Sequence, residues 1–255
     1  MASNGKFVWY DLMTKNEEAS LAFYAELIGW KSSTMDIGGM PYTLLRAGET
    51  TIGGLMNLDA PDVPNHWVGY VQVEDIEATC ALATELGGTV CVPPTEIPGV
   101  GRFAVLTDPQ GGVISPLQPA AHEVMPEWKP GPGIVAWNEY MAQNVSGAFG
   151  FYALLFGWSP AGSMKEGGED SYFLCGADKE QPCVGMMKAP EMLAGRSAWL
   201  FYITVADCAQ SVELAKSRGA QLLTGPMPVP GGQAAVLMDP QGAAFGVYAG
   251  TESQS

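Results

Sequence analysis

The strongest constraint on this chain is that most of it is written twice. FVWYDLMTKNEEASLAFYAELIGW at 7–30 aligns with VAWNEYMAQNVSGAFGFYALLFGW at 135–158. Trp9 matches Trp137, Met13 matches Met141, Asn16 matches Asn144, and Gly29-Trp30 matches Gly157-Trp158. HWVGYVQVEDIEATCALATELGG at 66–88 returns as AWLFYITVADCAQSVELAKSRGA at 198–220. GRFAVLTDPQGGVI at 101–114 returns as GQAAVLMDPQGAAF at 232–245. Self-similarity on this scale means a domain copied whole, and it fixes the architecture before local propensities are weighed.

Each half divides again into two similar units. Asn16, Asp75, Asn144 and Asp207 stand where a side-chain oxygen caps a helix N-terminus. Gly29, Gly87, Gly157 and Gly219 close the same helices, where a left-handed residue is needed. Ala19, Phe23 and Leu27 keep the spacing of a buried helix face. A strand with period-2 alternation precedes each helix, as in Val71-Gln72-Val73. Three short strands follow it, roughly 31–36, 42–47 and 51–58 in the first unit and 88–93, 101–107 and 112–118 in the second. The Asp-Pro-Gln-Gly runs at 108–111 and 239–242 read as tight strand connections. The expected fold is therefore α+β, with four βαβββ modules. Their expected bounds are 5–58 and 65–118 in a first domain (5–118), then 133–189 and 197–250 in a second (133–250). The Pro-rich segment 119–132 matches nothing in the repeat and reads as a linker.

Composition narrows the partners. A formal net charge of −15, with 12 basic against 27 acidic residues, is the wrong footprint for nucleic acid or an anionic membrane surface. No run approaches the roughly 20 apolar residues of a membrane span, and the start MASNGKF has no charged-then-apolar leader pattern. The five cysteines include no Cys-x-x-Cys pair and read as reduced thiols of a cytoplasmic protein. A small-molecule ligand is the expected partner, and the chain itself a monomer or a homodimer. There are only two histidines, His66 and His122.

Four such modules, with SLAFYAELIGW at 20–30 and the two DPQG turns, resemble the vicinal oxygen chelate superfamily of glyoxalase I, bleomycin-resistance proteins and extradiol dioxygenases. Gly53-Gly54-Leu55-Met56 and IPGVGR at 97–102 are similar to its two-domain glyoxalase-like members. The resemblance implies that two modules pair into a curved sheet around a cavity. In catalytic members it implies a divalent metal there, held by His or Glu on the first and last strands of a module. Transferred to this chain, those positions are Trp9, Val68, Gly54 or Met56, and Ser115 in the first half. In the second half they are Trp137, Leu200, Gly185 or Met187, and Gly246. None carries His, Asp or Glu. His66 and Asp11 share strand parity with Val68 and Trp9, but a lone pair falls short of the three or four protein ligands that are usual. The expectation is no metal and no cofactor.

What lines the cavities instead is aromatic, Met-rich and acidic. Trp9, Asp11 and Met13 share the cavity parity, as do Trp137, Glu139 and Met141. Tyr70, Ser115 and Tyr202 come from the second modules, and Met56 and Met187 from the last strands of the first. Aromatic faces stack on flat ligands, thioethers adapt to irregular shapes, and a carboxylate among them favours a cation or a hydroxyl. Three readings stay open. The chain binds a small planar or cationic organic molecule without metal. Or it is a cofactor-independent lyase, isomerase or hydroxylase-like enzyme on a carbonyl or polyketide-like substrate, with Asp11 or Glu139 as base and Tyr70 or Tyr202 as proton partner. Or its cavities are closed by side chains, with Arg46 and Arg102 as candidate partners of the first-half acid. A metal-dependent glyoxalase or dioxygenase is the reading the residues support least.

Overall fold

The computed structural model describes residues 4–121, 123, 125–126, 128–166 and 169–251. The first half runs β1 (Phe7–Thr14), α1 (Glu17–Ile28), β2 (Lys31–Ile37), β3 (Met40–Ala47), β4 (Thr50–Asn57), β5 (His66–Gln72), α2 (Ile76–Glu85), β6 (Thr89–Ile97), β7 (Gly101–Thr107) and β8 (Val113–Pro119). The second runs β9 (Val135–Ala142), α3 (Val145–Phe156), β10 (Ser159–Glu166), β11 (Glu169–Gly176), β12 (Val184–Lys188), β13 (Ala198–Thr204), α4 (Cys208–Ser217), β14 (Gln221–Val229), β15 (Gly232–Met238) and β16 (Ala244–Gly250). This is the α+β plan of four strand–helix–three-strand modules. Each half forms one eight-stranded sheet, in the orders β2-β3-β4-β1-β5-β8-β7-β6 and β10-β11-β12-β9-β13-β16-β15-β14. Among the described residues no helix is long and apolar enough to cross a membrane.

The predicted caps do their work. The side chains of Asn16, Asp75, Asn144 and Asp207 accept from the backbone N–H three residues on, at 3.1, 2.9, 3.0 and 2.9 Å. Gly29 and Gly157 leave their helices in the left-handed conformation, at φ 81° and 72°. Asn144→Ala removes one such cap, and we expect a loss of about 1 kcal/mol, read by urea unfolding.

The chain packs as two compact units. One comprises 1–9, 68–127 and 137–199, the other 10–67, 128–136 and 200–255. Each unit draws on both halves of the repeat, and each is organised by a buried aspartate from a DPQG turn. In the first unit Asp108 Oδ1 accepts from Gln110 N at 2.7 Å and Gly112 N at 2.9 Å, which fixes the turn. Its Oδ2 accepts from Tyr152 Oη at 2.8 Å and from Tyr140 Oη. Trp199 Nε1 in turn donates to Tyr152 Oη at 3.0 Å. In the second unit Asp239 Oδ1 accepts from Gln241 N and Ala243 N, both at 2.9 Å. Its Oδ2 accepts from Tyr24 Oη at 3.0 Å, and Trp67 Nε1 donates to that hydroxyl at 3.1 Å. Burial pushes Asp239 above the usual carboxylate range, and its hydrogen bonds pull it partly back. These aspartates do more than turn a chain: each ties a helix tyrosine from the other half of the repeat to a strand connection.

Candidate functional site

In the first unit three adjacent strands, β9, β12 and β11, carry the candidate site. Gly185 is paired with Glu139 on one side and Leu174 on the other. Two residues along, Met187 is paired with Met141 and with Tyr172, and Tyr172 with Met164 of β10. Paired residues share a sheet face, and so do residues two apart on a strand. Trp137, Glu139, Met141, Gly185, Met187, Leu174, Tyr172 and Met164 therefore point the same way.

The polar core of this face is a relay. Trp137 Nε1 donates to Tyr172 Oη at 2.7 Å, and Tyr172 Oη donates to Glu139 Oε2 at 2.8 Å. Burial first, and then the Glu139 charge, push the Tyr172 phenol far above its ordinary value, so it stays protonated and keeps donating. Gly185 makes the geometry possible. A Cβ there would lie 2.0 Å from Tyr172 Oη, so the ring crosses the strand only because that position has no side chain. Glu139 is 7% exposed, while Trp137, Met141, Tyr172, Met187 and Met164 are half-buried.

The second unit repeats the arrangement. Asp11 is paired with Gly54, and Met13 with Met56. Leu44 is also paired with Gly54, and Met35 with Tyr42. Tyr42 Oη donates to Asp11 Oδ1 at 2.6 Å. A Cβ on Gly54 would lie 2.0 Å from Tyr42 Oη. The acid has changed length between the copies, Asp to Glu, yet the acid–phenol bond has been kept.

The duplication supplies a comparison within one chain. On this face the centre is retained: Trp9 and Trp137, Met13 and Met141, Met56 and Met187, Tyr42 and Tyr172, Leu44 and Leu174, Met35 and Met164. The opposite face of the same strands is buried, apart from the half-buried Phe173, and has diverged. Tyr10 corresponds to Asn138, Leu12 to Tyr140, Leu55 to Met186, Thr43 to Phe173, and Leu45 to Cys175. Retention lapses toward the rim, where Phe7 answers to Val135 and Arg46 to Gly176. Pure packing would hold the buried face and let the accessible one drift. The observed pattern is the reverse.

The second modules behave differently. Tyr70 is paired with Ser115, and Tyr202 with Gly246. Ser115 Oγ donates to the Ala104 carbonyl at 2.6 Å, and the Tyr202 ring lies over Gly246, where a Cβ would meet it at 2.2 Å. Both tyrosines are 6% exposed. Around them Val68 has become Leu200, Gln72 has become Thr204, and Leu117 has become Tyr248. Of the ligand-facing residues expected here, only the tyrosine is constant.

The phenols that meet the acids are Tyr42 and Tyr172, which the sequence reading did not single out as proton partners. Neither arginine proposed as a partner is shown on the first-half acid: Arg102 pairs with Glu77, and Arg46 Nε is buried without a hydrogen-bond partner among the described residues. Tyr42 and Tyr172 were missed because the repeat slips by two residues between α3 and β11, so a constant offset does not superimpose them.

The metal that the fold resemblance implies does not fit these residues. Indole nitrogen is a donor only, and at Trp137 that N–H is already committed to Tyr172. Gly54 and Gly185 have no ligand atom, and the space above each is filled by a tyrosine hydroxyl. Among the described residues no three His, Cys, Asp or Glu side chains converge to hold an ion. His66 Nδ1 bonds the Pro64 carbonyl at 2.8 Å, and His122 lies outside the described residues. Nor is there an activated thiol at the site: burial pushes Cys175 up to about 12 and Cys183 to about 11.

Residues 6–115 match the family model described as the Glyoxalase/Bleomycin resistance protein/Dioxygenase superfamily. The protein named "Putative glyoxylase CFP32" of Mycobacterium tuberculosis (strain CDC 1551 / Oshkosh) is 45% identical over 120 residues, 47% of this chain and 46% of its own. That match thus spans less than half the length of the mycobacterial protein. "Anthracycline biosynthesis protein DauV" of Streptomyces sp. (strain C5) is 28% identical over 258 residues, covering 95% of this chain and 92% of its own. The Mn(II)-bound glyoxalase from Novosphingobium aromaticivorans superposes with a TM-score of 0.64 at 15% identity, over 97% of this chain and 82% of that one. That structural likeness speaks for the fold alone. Residues 6–115 are thus similar to the glyoxalase/bleomycin resistance/dioxygenase superfamily, and the second half repeats the same module plan.

Proposed function

We propose that this protein binds a small, planar aromatic molecule bearing hydrogen-bond donors, on the Trp–acid–Met–Tyr face and without a metal. The observation that carries the reading is the retention of that partly accessible face, whose Trp9, Met13, Trp137 and Met141 side chains are half-buried, while the face behind it diverged. The chemistry is consistent. An indole offers a flat stacking surface, and thioethers adapt to a polycyclic outline. A buried carboxylate rewards an incoming hydroxyl or ammonium with a charge-assisted hydrogen bond. A relative named for anthracycline biosynthesis points to the same ligand class, because anthracyclines are flat, hydroxylated and commonly aminated.

The test is a titration with a hydroxylated anthraquinone, following quenching of Trp fluorescence and the heat of binding. Saturable binding is expected, weakened roughly tenfold or more by Glu139→Gln and Asp11→Asn together, since each substitution removes a carboxyl acceptor. An affinity unchanged in the double variant would sink the proposal.

A second reading rests on the Tyr172–Glu139 hydrogen bond. It makes the pair an acid–base couple acting on a carbonyl or polyketide-like substrate. Product formation from such a compound that is lost in Glu139→Gln, with binding kept in Tyr172→Phe, would favour it over simple binding.

A further inference from the structure

We infer that one chain carries two separate sites for ligands of this class, one on the β1–β4 face and one on the β9–β12 face, and fills both at once. The inference rests on the binding reading and extends it to stoichiometry. Each face is complete by itself. Each has an acid on its first strand, a phenol reaching it across a glycine, and a methionine row beside the phenol. The phenol–acid distances, 2.6 Å at Tyr42–Asp11 and 2.8 Å at Tyr172–Glu139, are alike although the acids differ by a methylene. Had one copy lost its ligand, its bonded pair, its glycine and its methionines would have been free to drift as the buried face did. The phenol, the glycine and the methionines are the same in both copies, and the acid has changed only in length. Met13 and Met141 are half-buried in both halves, so each row retains an accessible surface.

The two sites are not equal. Tyr42 is buried at 9% exposure, whereas Tyr172 is half-buried. Arg46 follows Leu44 on the first face, where the second face has Gly176. A half-buried guanidinium, with its Nε out of solvent, disfavours a cationic ligand and favours one with a carbonyl there. The β9–β12 site therefore prefers an aminated aromatic, and the β1–β4 site tolerates a neutral quinone better.

Calorimetry with a neutral hydroxyanthraquinone and with its amino-substituted analogue tests this. Two equivalents per chain are expected. Met13→Lys and Met141→Lys should each remove one equivalent, because a lysine in the row blocks stacking while its stem lies along the sheet and its head reaches water. The double variant should remove both. Met141→Lys should abolish the tighter step for the aminated probe. Circular dichroism of each variant confirms the fold, and Trp9→Ala and Trp137→Ala serve as a second pair if a lysine variant unfolds. One equivalent in the parent chain, or both equivalents lost in one single variant, overturns the two-site inference and leaves the binding reading standing. No binding of either probe overturns the binding reading itself.

Discussion

Asp108→Ala is expected to lower the midpoint of thermal unfolding by roughly 10 °C. Four donors converge on this carboxylate: the N–H groups of Gln110 and Gly112, and the hydroxyls of Tyr140 and Tyr152. Alanine leaves all four without that acceptor in a place where Asp108 itself is 4% exposed. A buried donor stripped of its partner costs about 1–3 kcal/mol. Water admitted to the gap and local relaxation reduce the sum, so about 3–5 kcal/mol in total is expected, the range of a broken buried polar network. At about 2–4 °C per kcal/mol for a chain of this size, that gives the stated shift. Asp239→Ala should cost less, because one phenol rather than two is shown on it. Its burial already carries a desolvation cost that removing the carboxylate relieves. Differential scanning calorimetry of both variants decides the matter. A drop below about 2 °C for Asp108→Ala would show that the network is not what holds the turn and helix together.

Two neighbouring glycines should give results of different size. A Cβ on Gly53 would stand 2.0 Å from the Tyr10 carbonyl oxygen and 3.0 Å from its carbon, so backbone must move. Gly53→Ala therefore pushes β4 from β1 and should cost about 3 kcal/mol or more, above the usual overpacking range. The second half carries Val184 at the equivalent place, so this close approach is particular to the first half. A Cβ on Gly54 instead meets the far end of the Tyr42 side chain, which can swing away. Gly54→Ala should cost only about 1–2 kcal/mol while breaking the Tyr42–Asp11 bond. Its signature is loss of one of the two binding steps in a protein that still melts cooperatively. Equal stability in the two variants would contradict the register drawn for β1 and β4.

Much of the fold could be read without coordinates. The copied segments, the four capping residues and the closing glycines each have a local cause, since helix ends are set by side chains within three or four residues. The first-strand residues of the site were legible for the same reason: Trp9, Asp11 and Met13 lie on one face of a strand because the period is two. The phenols were not legible. Tyr42 and Tyr172 reach their acids across an intervening strand, and which residues lie level on β1, β4 and β3 depends on sheet register. A β-bulge between Leu45 and Arg46 and the slip of the repeat before β11 both disturb that register. The DPQG aspartates were legible as turn residues only. Their second task is to receive a tyrosine from the other half of the repeat, which is a tertiary matter.

The sequence by itself determined the architecture, because the duplication and the periodicities act over short spans. It also determined what the site is made of, because composition and strand parity place Trp, acid and Met together. Only the tertiary structure decided which polar atoms meet. Hydrogen bonds require donor and acceptor within about 3 Å, and only the folded sheet brings Tyr172 over Gly185 to Glu139, or Tyr152 to Asp108. It also decided which of the retained residues are accessible and which are buried, and on that distinction the functional reading of the duplicated face depends.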